Sequence, residues 1–280
     1  MKKRIILKSP SRIHLGFLEL NQSSPRIFGS LGLTISKFED IITIQENKKF
    51  EVESKNLDVK LKIQDILGIF SKIKKIKKCK IIVKKIIPTH QGLGSGTQLS
   101  LSVGFLISQL NNLKMDINQI SEVLNRGNRS GIGIEAFESG GFIIDLGKNK
   151  KSKNLPLKFL NLKWPQTWKI ILIFDNTLVG TSGTNESQQF KKLKTVHSKF
   201  VNQNCKAVLM KVIPGILEKN FEEFSEGIRL VQKNMSKIFY GDSNLYASSK
   251  IKKIFSHLNK KGIQGYGQSS WGPTGFVFCK

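Results

Sequence analysis

Two patterns of apolar residues recur along the chain: short apolar runs typical of strands, and apolar residues at helical spacing. Together they predict a protein that mixes strands and helices. Short runs rich in apolar and β-branched side chains, bounded by Gly, Pro, Asn or Ser, are typical of strands. Such runs occupy residues 4–7, 13–20, 38–46, 50–54, 80–87, 142–147 and 168–175, and the end of 262–278. Pro10 predicts a turn between the first two strands, and residues 21–33 predict a loop. The strands at 38–46 and 50–54 are expected to pair.

Apolar residues at helical spacing predict the helices. Asp116 begins one of them, and Gln119 completes a capping-box pattern there. A short helical segment is expected before the glycines at 140 and 141. Another helix follows the glycines at 92–96, and its apolar face consists of Leu99, Val103, Leu106, Ile107 and Leu110. The remaining predicted helices cover residues 59–73, 116–126, 205–217, 221–239 and 249–261.

A polar, basic segment at residues 148–158 is the best candidate for a domain boundary, because its first half lacks an apolar period. It divides the chain into an N-terminal domain, residues 1–150, and a C-terminal domain, residues 151–280. A loop rich in Gly, Thr and Ser is predicted at 177–190, and no internal repeat is visible.

Composition narrows the class of protein. The 280 residues, 39% of them hydrophobic, are ample for a buried core. No run of about 18 apolar residues occurs, so a membrane span is not expected, and the basic N-terminus reads as a first strand rather than a signal peptide. Cys79, Cys205 and Cys279 lack metal-site spacing and indicate reduced thiols in a cytoplasm.

The net charge of +26 attracts anions of several kinds. Much of it lies in lysine clusters such as residues 71–85, which are typical of solvated faces. Nucleic-acid binding calls for an aromatic platform or a known binding module among the basic residues, and neither is evident. We therefore expect no nucleic-acid or membrane partner. The charge is compatible with an anionic small molecule.

The segment "PTHQGLGSGTQLS" has the chemistry of an anion-binding loop. Glycines let successive backbone N–H groups converge on an anion, and the following helix adds its positive end. Ser95 and Thr97 add hydroxyl donors. The spacing matches neither a Walker loop nor the dinucleotide fingerprint. A tight turn without a ligand would explain the glycines equally well.

Three segments taken together resemble the GHMP kinase superfamily: "SPSRIHLGFLEL", "PTHQGLGSGTQLS" and "GQSSWGPTGF", in that order. The resemblance covers nearly the whole chain and implies an α+β, GHMP-kinase-like two-domain fold. Its N-terminal domain would be like the second domain of ribosomal protein S5, and its C-terminal domain ferredoxin-like. The cleft between them would hold the substrate, and in the kinases the central loop wraps the phosphates of ATP.

One departure argues against a kinase. Kinases of this superfamily carry an aspartate after a Ser-Gly pair, and this chain has Gly133 at that place in "SGIGIEAFESGG". Glycine can neither accept a proton nor orient a hydroxyl. A shifted alignment, with Glu135 or Asp145 in the aspartate's role, stays open as an alternative.

The details resemble one branch, the β-ribofuranosylaminobenzene (or β-ribofuranosylphenol) 5′-phosphate synthases. Six segments fit it: "SRIHLGFLEL", "FGSLGL", "GLGSGTQ", "RSGIG", "FESGGFIIDLG" and "GQSSWGPTGF". The branch implies a pentosyltransferase that joins phosphoribosyl pyrophosphate to 4-hydroxybenzoate or 4-aminobenzoate, with loss of pyrophosphate and CO₂. It further implies Mg²⁺, a homodimer and a place in archaeal methanopterin biosynthesis.

The resemblance also implies roles for particular residues. Arg126 and Arg129 would clamp phosphate oxygens, or they are ordinary surface arginines. His90 would donate to an anion or polarise the substituent of the arene, or it is a turn histidine. The phosphate or pyrophosphate would be held by Gly92, Gly94, Ser95, Gly96, Thr97 and Gln98.

Further candidates come from both ends of the chain. Arg12 and His14 alternate on one strand, and one of them would hold a carboxylate or phosphate, although a structural histidine is an equal alternative. Glu135 and Asp145 are the nearest carboxylates for Mg²⁺. The cleft would be closed by Gln268, Ser269, Ser270 and Trp271, with Trp271 either stacking on the aromatic acid or packing in the core.

Two other functions compete with this one. The first is an ATP-dependent small-molecule kinase of the same superfamily. The second is a non-catalytic protein that binds anions or nucleic acid through its net charge of +26.

Overall fold

A computed structural model describes residues 3–180, 188, 190, 193, 196–241 and 246–280. Within these ranges the chain mixes strands and helices in two sheets. The strands of the first sheet are β1 (Arg4–Glu19), β2 (Arg26–Glu46), β3 (Glu51–Glu53), β4 (Cys79–Lys85), β5 (Phe142–Asp145), β6 (Lys148–Asn149) and β7 (Lys158–Leu162). Its strand order is β3-β4-β2-β5-β7, and both β1 and β6 pair with β2.

The turn expected at Pro10 is wrong, because β1 runs unbroken from Arg4 to Glu19. The register with β2 shifts between Pro10 and Ser11 instead. Proline has no N–H to donate, and a bulge is a place where a strand tolerates that loss.

The loop expected at residues 21–33 is mostly strand, because β2 begins at Arg26. Its glycines allow close packing rather than a turn. A Cβ on Gly32 would lie 2.2 Å from Cγ2 of Ile132, so α4 (Ile132–Glu138) rests directly on the strand at this point. Gly29 adopts a φ of +63°, which glycine does without strain.

The strands β2 and β3 do not pair with each other, which corrects the pairing expected from sequence. β4 lies between them, antiparallel to β2 and parallel to β3. The connection from β3 to β4 passes through α1 (Leu57–Ile73), as a parallel crossover requires.

Helices on this sheet agree with the predicted periodicity. α2 (Ser95–Asn111) contacts β1 and β2 and also α1, α3 (Ile117–Val123) and α4. The predicted capping box on α3 is confirmed, because Asp116 accepts from the backbone of Gln119 and the Gln119 side chain accepts from Asp116 N–H. These contacts fix α2, and with it the glycine loop, against the sheet.

The C-terminal part is built around a second sheet of order β8-β10-β9, formed by Lys169–Ile173, Gly275–Cys279 and Tyr266–Gln268. Its helices are α5 (Ser198–Ala207), α6 (Ile213–Leu217), α7 (Phe221–Tyr240) and α8 (Ser249–Lys260), with a π-helical turn at Val208–Val212 between α5 and α6. Most of the loop predicted at 177–190 lies outside the described residues.

The two parts of the chain share one apolar core. Ile13 and Leu15 of β1 belong to the same buried cluster as Phe224 of α7 and Phe278 of β10. β7, which follows residue 150, pairs with β5 of the first sheet. The domain boundary at 150/151 stays a prediction. Among the described residues, every helix falls short of the length and apolar character needed to cross a bilayer.

Candidate active site

A cleft of about 570 Å³ lies over the glycine loop. It is lined by residues of β1, β2, α1, the segment before α2, α2 itself, the connection between α3 and α4, and the C-terminal hairpin formed by β9 and β10. These are Arg12, Asp40, Asp58, Val59, Lys62, Ile86, Ile87, Thr89, His90, Gly92, Gly94, Ser95, Gly96, Thr97, Leu99, Arg126 and Ser270. The structure thus brings together many of the residues that the sequence singled out.

The N-terminus of α2 faces this cleft. Gly94 is the N-cap residue, with a φ of +82° that favours glycine, and no side chain caps the helix. The N–H groups of Thr97 and Gln98 both donate to the carbonyl of Gly94. No hydrogen bond from the N–H of Ser95 or Gly96 occurs within the described part of the chain, so both can donate to an anion.

Hydrogen bonds to its carbonyl groups hold the glycine loop in place. Arg12 Nη1 and Ser269 Oγ donate to the carbonyl of Gly92, at 2.8 and 2.7 Å. The N–H of Gly180 donates to the carbonyl of His90 at 2.8 Å. Three separate segments therefore hold the loop in the shape that exposes its N–H groups.

Cationic side chains gather at the same place. Lys62 Nζ donates to the carbonyl of Gly96 at 2.9 Å, and Arg12 packs on the loop at Gly94. Arg126 Nε is buried and has no hydrogen-bond partner among the described residues. Burial, with Arg126 nearby, lowers the pKa of Lys62 to about 8. Both cations gain by binding an anion, since a desolvated charge is costly until it is paired.

Asp40 is a buried carboxylate in the wall of the cleft. Its Oδ1 accepts from the N–H of Ile87 at 2.8 Å, while Oδ2 has no hydrogen-bond partner in the described ranges. Burial raises the pKa of Asp40 to about 7, although the nearby charge of Lys62 opposes this. Neither Asp40 nor Lys62 was among the residues singled out from sequence. The sequence feature that could have identified Asp40 is a carboxylate directly before the apolar run "IITI".

Gly133, the position expected for the kinase aspartate, contacts the "GTQ" segment of the loop directly. A Cβ on Gly133 would lie 3.0 Å from Cγ2 of Thr97. Gln98 Nε2 donates to the carbonyl of Gly133 at 2.8 Å, and Gln98 is fully buried. Gln98 therefore ties α2 to α4 and does not face the cleft, contrary to its expected phosphate contact.

His14 lies apart from the cleft and is uncharged. It is buried against Phe17, with 4.5 Å between ring centroids, and lines a cavity of about 20 Å³. Burial, and then the charge of Arg12, lower the pKa of His14 to about 3. It supplies no positive charge near neutral pH, so of the two strand residues Arg12 is the one placed to bind an anion.

The C-terminal motif supports the loop more than it lines the cleft. Ser270 reaches the cleft, whereas Gln268 and Ser269 are buried and bonded inside the protein. Trp271 is also buried, and its ring stacks on Phe239 at 3.9 Å between centroids. Of the two alternatives for Trp271, this packing favours a place in the core over stacking on an aromatic substrate.

The two carboxylates expected to bind Mg²⁺ are occupied. Glu135 forms an ion pair with Lys158. Asp145 is fully buried and accepts from Gly131 and Gly147 N–H, at 3.0 and 2.8 Å, and from the hydroxyl of Ser30. Burial raises the pKa of Asp145 to about 6. Neither lines the cleft, and the described residues contain no group of three His, Cys, Asp or Glu suited to a metal ion. The predicted pair does not fit Mg²⁺.

Of the remaining candidate residues, some line the cleft and others do not. His90 is exposed and lines the cleft. Arg129 lies over the ring of Phe190, with its guanidinium carbon 4.8 Å from the ring centroid, and is not among the cleft residues. Of the two arginines predicted to clamp a phosphate, the structure places Arg126 in the cleft.

Comparison with known families and structures agrees with this architecture. The family described as GHMP kinases N terminal domain matches residues 61–141, which span α1 to the start of β5. The crystal structure of phosphomevalonate kinase from Streptococcus pneumoniae superposes with a TM-score of 0.72 at 12% identity, over 99% of this chain and 92% of that one. The α+β, GHMP-kinase-like fold expected from sequence is confirmed.

Relatives of similar length share more of the sequence. The beta-ribofuranosylphenol 5'-phosphate synthase of Methanocaldococcus jannaschii is 33% identical, over 98% of this chain and 89% of the relative. The protein of the same name from Methanothermobacter thermautotrophicus is 28% identical, over 96% of this chain and 87% of the relative.

Proposed function

Because the chain belongs to the beta-ribofuranosylphenol 5'-phosphate synthase family, we propose that it transfers a phosphoribosyl group to an aromatic acid. The donor is phosphoribosyl pyrophosphate, and the acceptor is 4-hydroxybenzoate or 4-aminobenzoate. Pyrophosphate and CO₂ leave, and a C-riboside 5′-phosphate forms.

One observation supports this function above the others. The cleft gathers the N–H groups of Ser95 and Gly96 with Lys62 and Arg126, while Gly133 stands at the position where the sequence motif leads us to expect the kinase aspartate. Transfer from phosphoribosyl pyrophosphate needs anion binding at the leaving group and no base for an alcohol. Phosphorylation of an alcohol needs both anion binding and a base for the alcohol. The kinase function is accordingly less supported.

The chemistry assigned to these groups is electrostatic. As the bond from C1′ of ribose to pyrophosphate breaks, negative charge grows on the leaving oxygen and positive charge on the ribose ring. Backbone N–H groups at the start of α2, with Lys62 and Arg126, stabilise the departing anion because they are fixed before the reaction begins. Arg12 adds positive charge beside the loop and holds its shape.

Several finer expectations remain predictions that rest on the resemblance. These are Mg²⁺ carried with the pyrophosphate, a homodimer, a cytoplasmic location and a place in methanopterin biosynthesis. Asp58, which is exposed at the start of α1, is the other carboxylate besides Asp40 that lines the cleft.

The direct test measures CO₂ released from the carboxyl group of the aromatic acid. Purified protein is incubated with Mg²⁺, phosphoribosyl pyrophosphate and carboxyl-labelled 4-hydroxybenzoate or 4-aminobenzoate, and labelled CO₂ is measured. We expect CO₂ release that depends on the ribosyl donor. Absence of CO₂ from both acids, with ADP formed from ATP and an alcohol, would favour the kinase instead.

A matched pair of variants tests the loop. A Cβ on Gly96 would lie 3.1 Å from Lys62 Nζ, so Gly96→Val displaces that cation and covers the N–H groups. We expect the Kd for phosphoribosyl pyrophosphate to rise at least about tenfold, which is the loss of roughly one charge-assisted hydrogen bond. The control is Gly68→Val, because Gly68 is exposed on α1 with open space around it. Equal binding by both variants would refute the loop's role.

A further inference from the structure

The cleft has an apolar wall that a ribosyl phosphate does not need. Val59 of α1, Ile86 and Ile87 before the loop, and Leu99 of α2 line it. A sugar phosphate presents hydroxyl and phosphate groups, which gain little from such a surface. A benzene ring gains from it, because apolar area is removed from water. The wall is therefore suited to the ring of the aromatic acid, whereas Trp271 is not among the residues that line the cleft.

Asp40 lies in this wall with one oxygen unused. Its backbone partner is Ile87, itself a wall residue, and Oδ2 is left without a partner although the side chain is only 1% exposed. A buried acceptor of this kind is costly until a donor reaches it. A ligand in the cleft can supply the donor that satisfies it.

Charge fixes the orientation of such a ligand. The ionised carboxylate of Asp40 repels the carboxylate of the acid. The end of the ring opposite the carboxylate is the end that can approach Asp40. In both candidate substrates that para position carries a donor, a hydroxyl or an amino group.

We propose that Asp40 is a catalytic residue that accepts the proton of the para hydroxyl or amino group of the aromatic substrate. This inference rests on the proposed phosphoribosyl transfer and names the group that recognises and activates its acceptor. Removing that proton pushes electron density to the ring carbon that bears the carboxylate, which is the carbon that must attack ribose.

The step balances within the two substrates and Asp40. The ring carbon bearing the carboxylate forms a bond to C1′ of ribose, and the C1′–oxygen bond breaks with its electron pair leaving on pyrophosphate. The hydroxyl proton moves to Asp40 Oδ2, which gives a cyclohexadienone. The bond to the carboxylate then breaks as CO₂ leaves, its electron pair restores the aromatic ring, and Asp40 returns the proton to the oxygen.

The pKa of Asp40 suits a group that accepts a proton in one step and returns it in a later one. A carboxyl with a pKa of about 7 binds and releases a proton near neutral pH, whereas an ordinary aspartate would not hold one. The nearby charge of Lys62 favours the ionised form that must accept the proton.

The test compares Asp40→Asn with Asp40→Glu and with Asp65→Asn. Asparagine keeps the bond from Ile87 N–H but cannot take a proton, and glutamate keeps the carboxylate. Asp65 is exposed on α1 outside the cleft, so its variant removes the same charge without touching the wall. Thermal unfolding of each full-length variant verifies that it is folded.

We expect Asp40→Asn to lower kcat at least about a hundredfold, as loss of general base catalysis does. Asp40→Glu should retain more activity than Asp40→Asn, and Asp65→Asn should match the wild type. The Kd for phosphoribosyl pyrophosphate and the Mg²⁺ dependence should stay within twofold in all of them. A kcat for Asp40→Asn within threefold of wild type would overturn the proposal, as would a selective loss of donor or Mg²⁺ binding.

Binding of the acid alone gives a second measurement. Calorimetric titration of the full chain with 4-hydroxybenzoate and benzoate should show that the hydroxyl improves the Kd about tenfold in the wild type and hardly at all in Asp40→Asn. An equal advantage in both proteins would contradict the proposal. If wild type releases no CO₂ from either acid, the proposed function fails, and this ratio still decides whether Asp40 binds the para group.

Discussion

At the scale of single residues, the buried charge of Asp40 should be visible in stability. Its pKa is about 7 in the folded protein and near 4 in an unfolded chain, so folding binds a proton more tightly between these values. The folded state is therefore favoured as pH falls from 7 towards 4, and above pH 7 it carries the cost of the charge. We expect Asp40→Asn to raise the free energy of unfolding at pH 8 by roughly 2 kcal/mol.

Urea denaturation across the pH range measures this effect. The difference between Asp40→Asn and wild type should shrink as pH falls and vanish near pH 4. Asp65→Asn, at an exposed position, should stay within about 0.5 kcal/mol of wild type throughout. A constant difference at every pH would mean that the amide acts through packing and not through the missing charge.

Sequence patterns identified the cleft residues that are neighbours in the chain and missed those that only packing brings together. Gly94 and Ser95 belong to a local pattern of glycines before a helix, and such patterns are contained within a few neighbouring positions. Asp40 and Lys62 are far apart in sequence and meet at the cleft only after β2 and α1 have packed. No pattern of neighbouring residues in the sequence reveals that these two side chains become close in space.

At the scale of elements, the glycine loop depends on a hairpin from the far end of the chain. Ser269 Oγ donates to the carbonyl of Gly92 and accepts from the N–H of His14. Ser269→Ala removes both bonds while leaving the cleft lining unchanged. We expect a loss of about 1 kcal/mol in stability and a severalfold weaker binding of phosphoribosyl pyrophosphate.

Calorimetric titration with phosphoribosyl pyrophosphate and chemical denaturation test this link. Ser256→Ala, on the exposed side of α8, is the matched control and should change neither quantity. If Ser269→Ala loses stability but binds the donor as wild type does, the hairpin supports the fold without shaping the loop.

Elements whose signals are local were predicted well, and those decided by packing were not. The capping box of Asp116 and Gln119 lies within four residues, and it formed as expected. Pro10 suggested a turn, but pairing with β2 keeps the strand continuous through a bulge. The glycines of β2 suggested a loop, yet Gly32 is there because Ile132 of α4 presses against it.

At the scale of the whole molecule, the shared core predicts cooperative unfolding. Trp164 and Trp168 lie in contact with Phe224 and report on packing in the C-terminal part. The same cluster includes Ile13 and Leu33 of the first sheet. We expect tryptophan fluorescence and far-ultraviolet circular dichroism to give the same unfolding midpoint. Two separated transitions would instead indicate that residues 1–150 and 151–280 unfold independently.

The contact between Gly133 and Thr97 also constrains how such a chain can change over generations. A Cβ at position 133 would stand 3.0 Å from Cγ2 of Thr97, so an aspartate there needs the Thr97 side chain to give way by a few tenths of an ångström. A smaller residue at position 97 removes that crowding, so a carboxylate at 133 costs less after position 97 has changed than before. A lineage that moves between alcohol phosphorylation and ribosyl transfer on this scaffold therefore has a preferred order of steps, with the change at position 97 first.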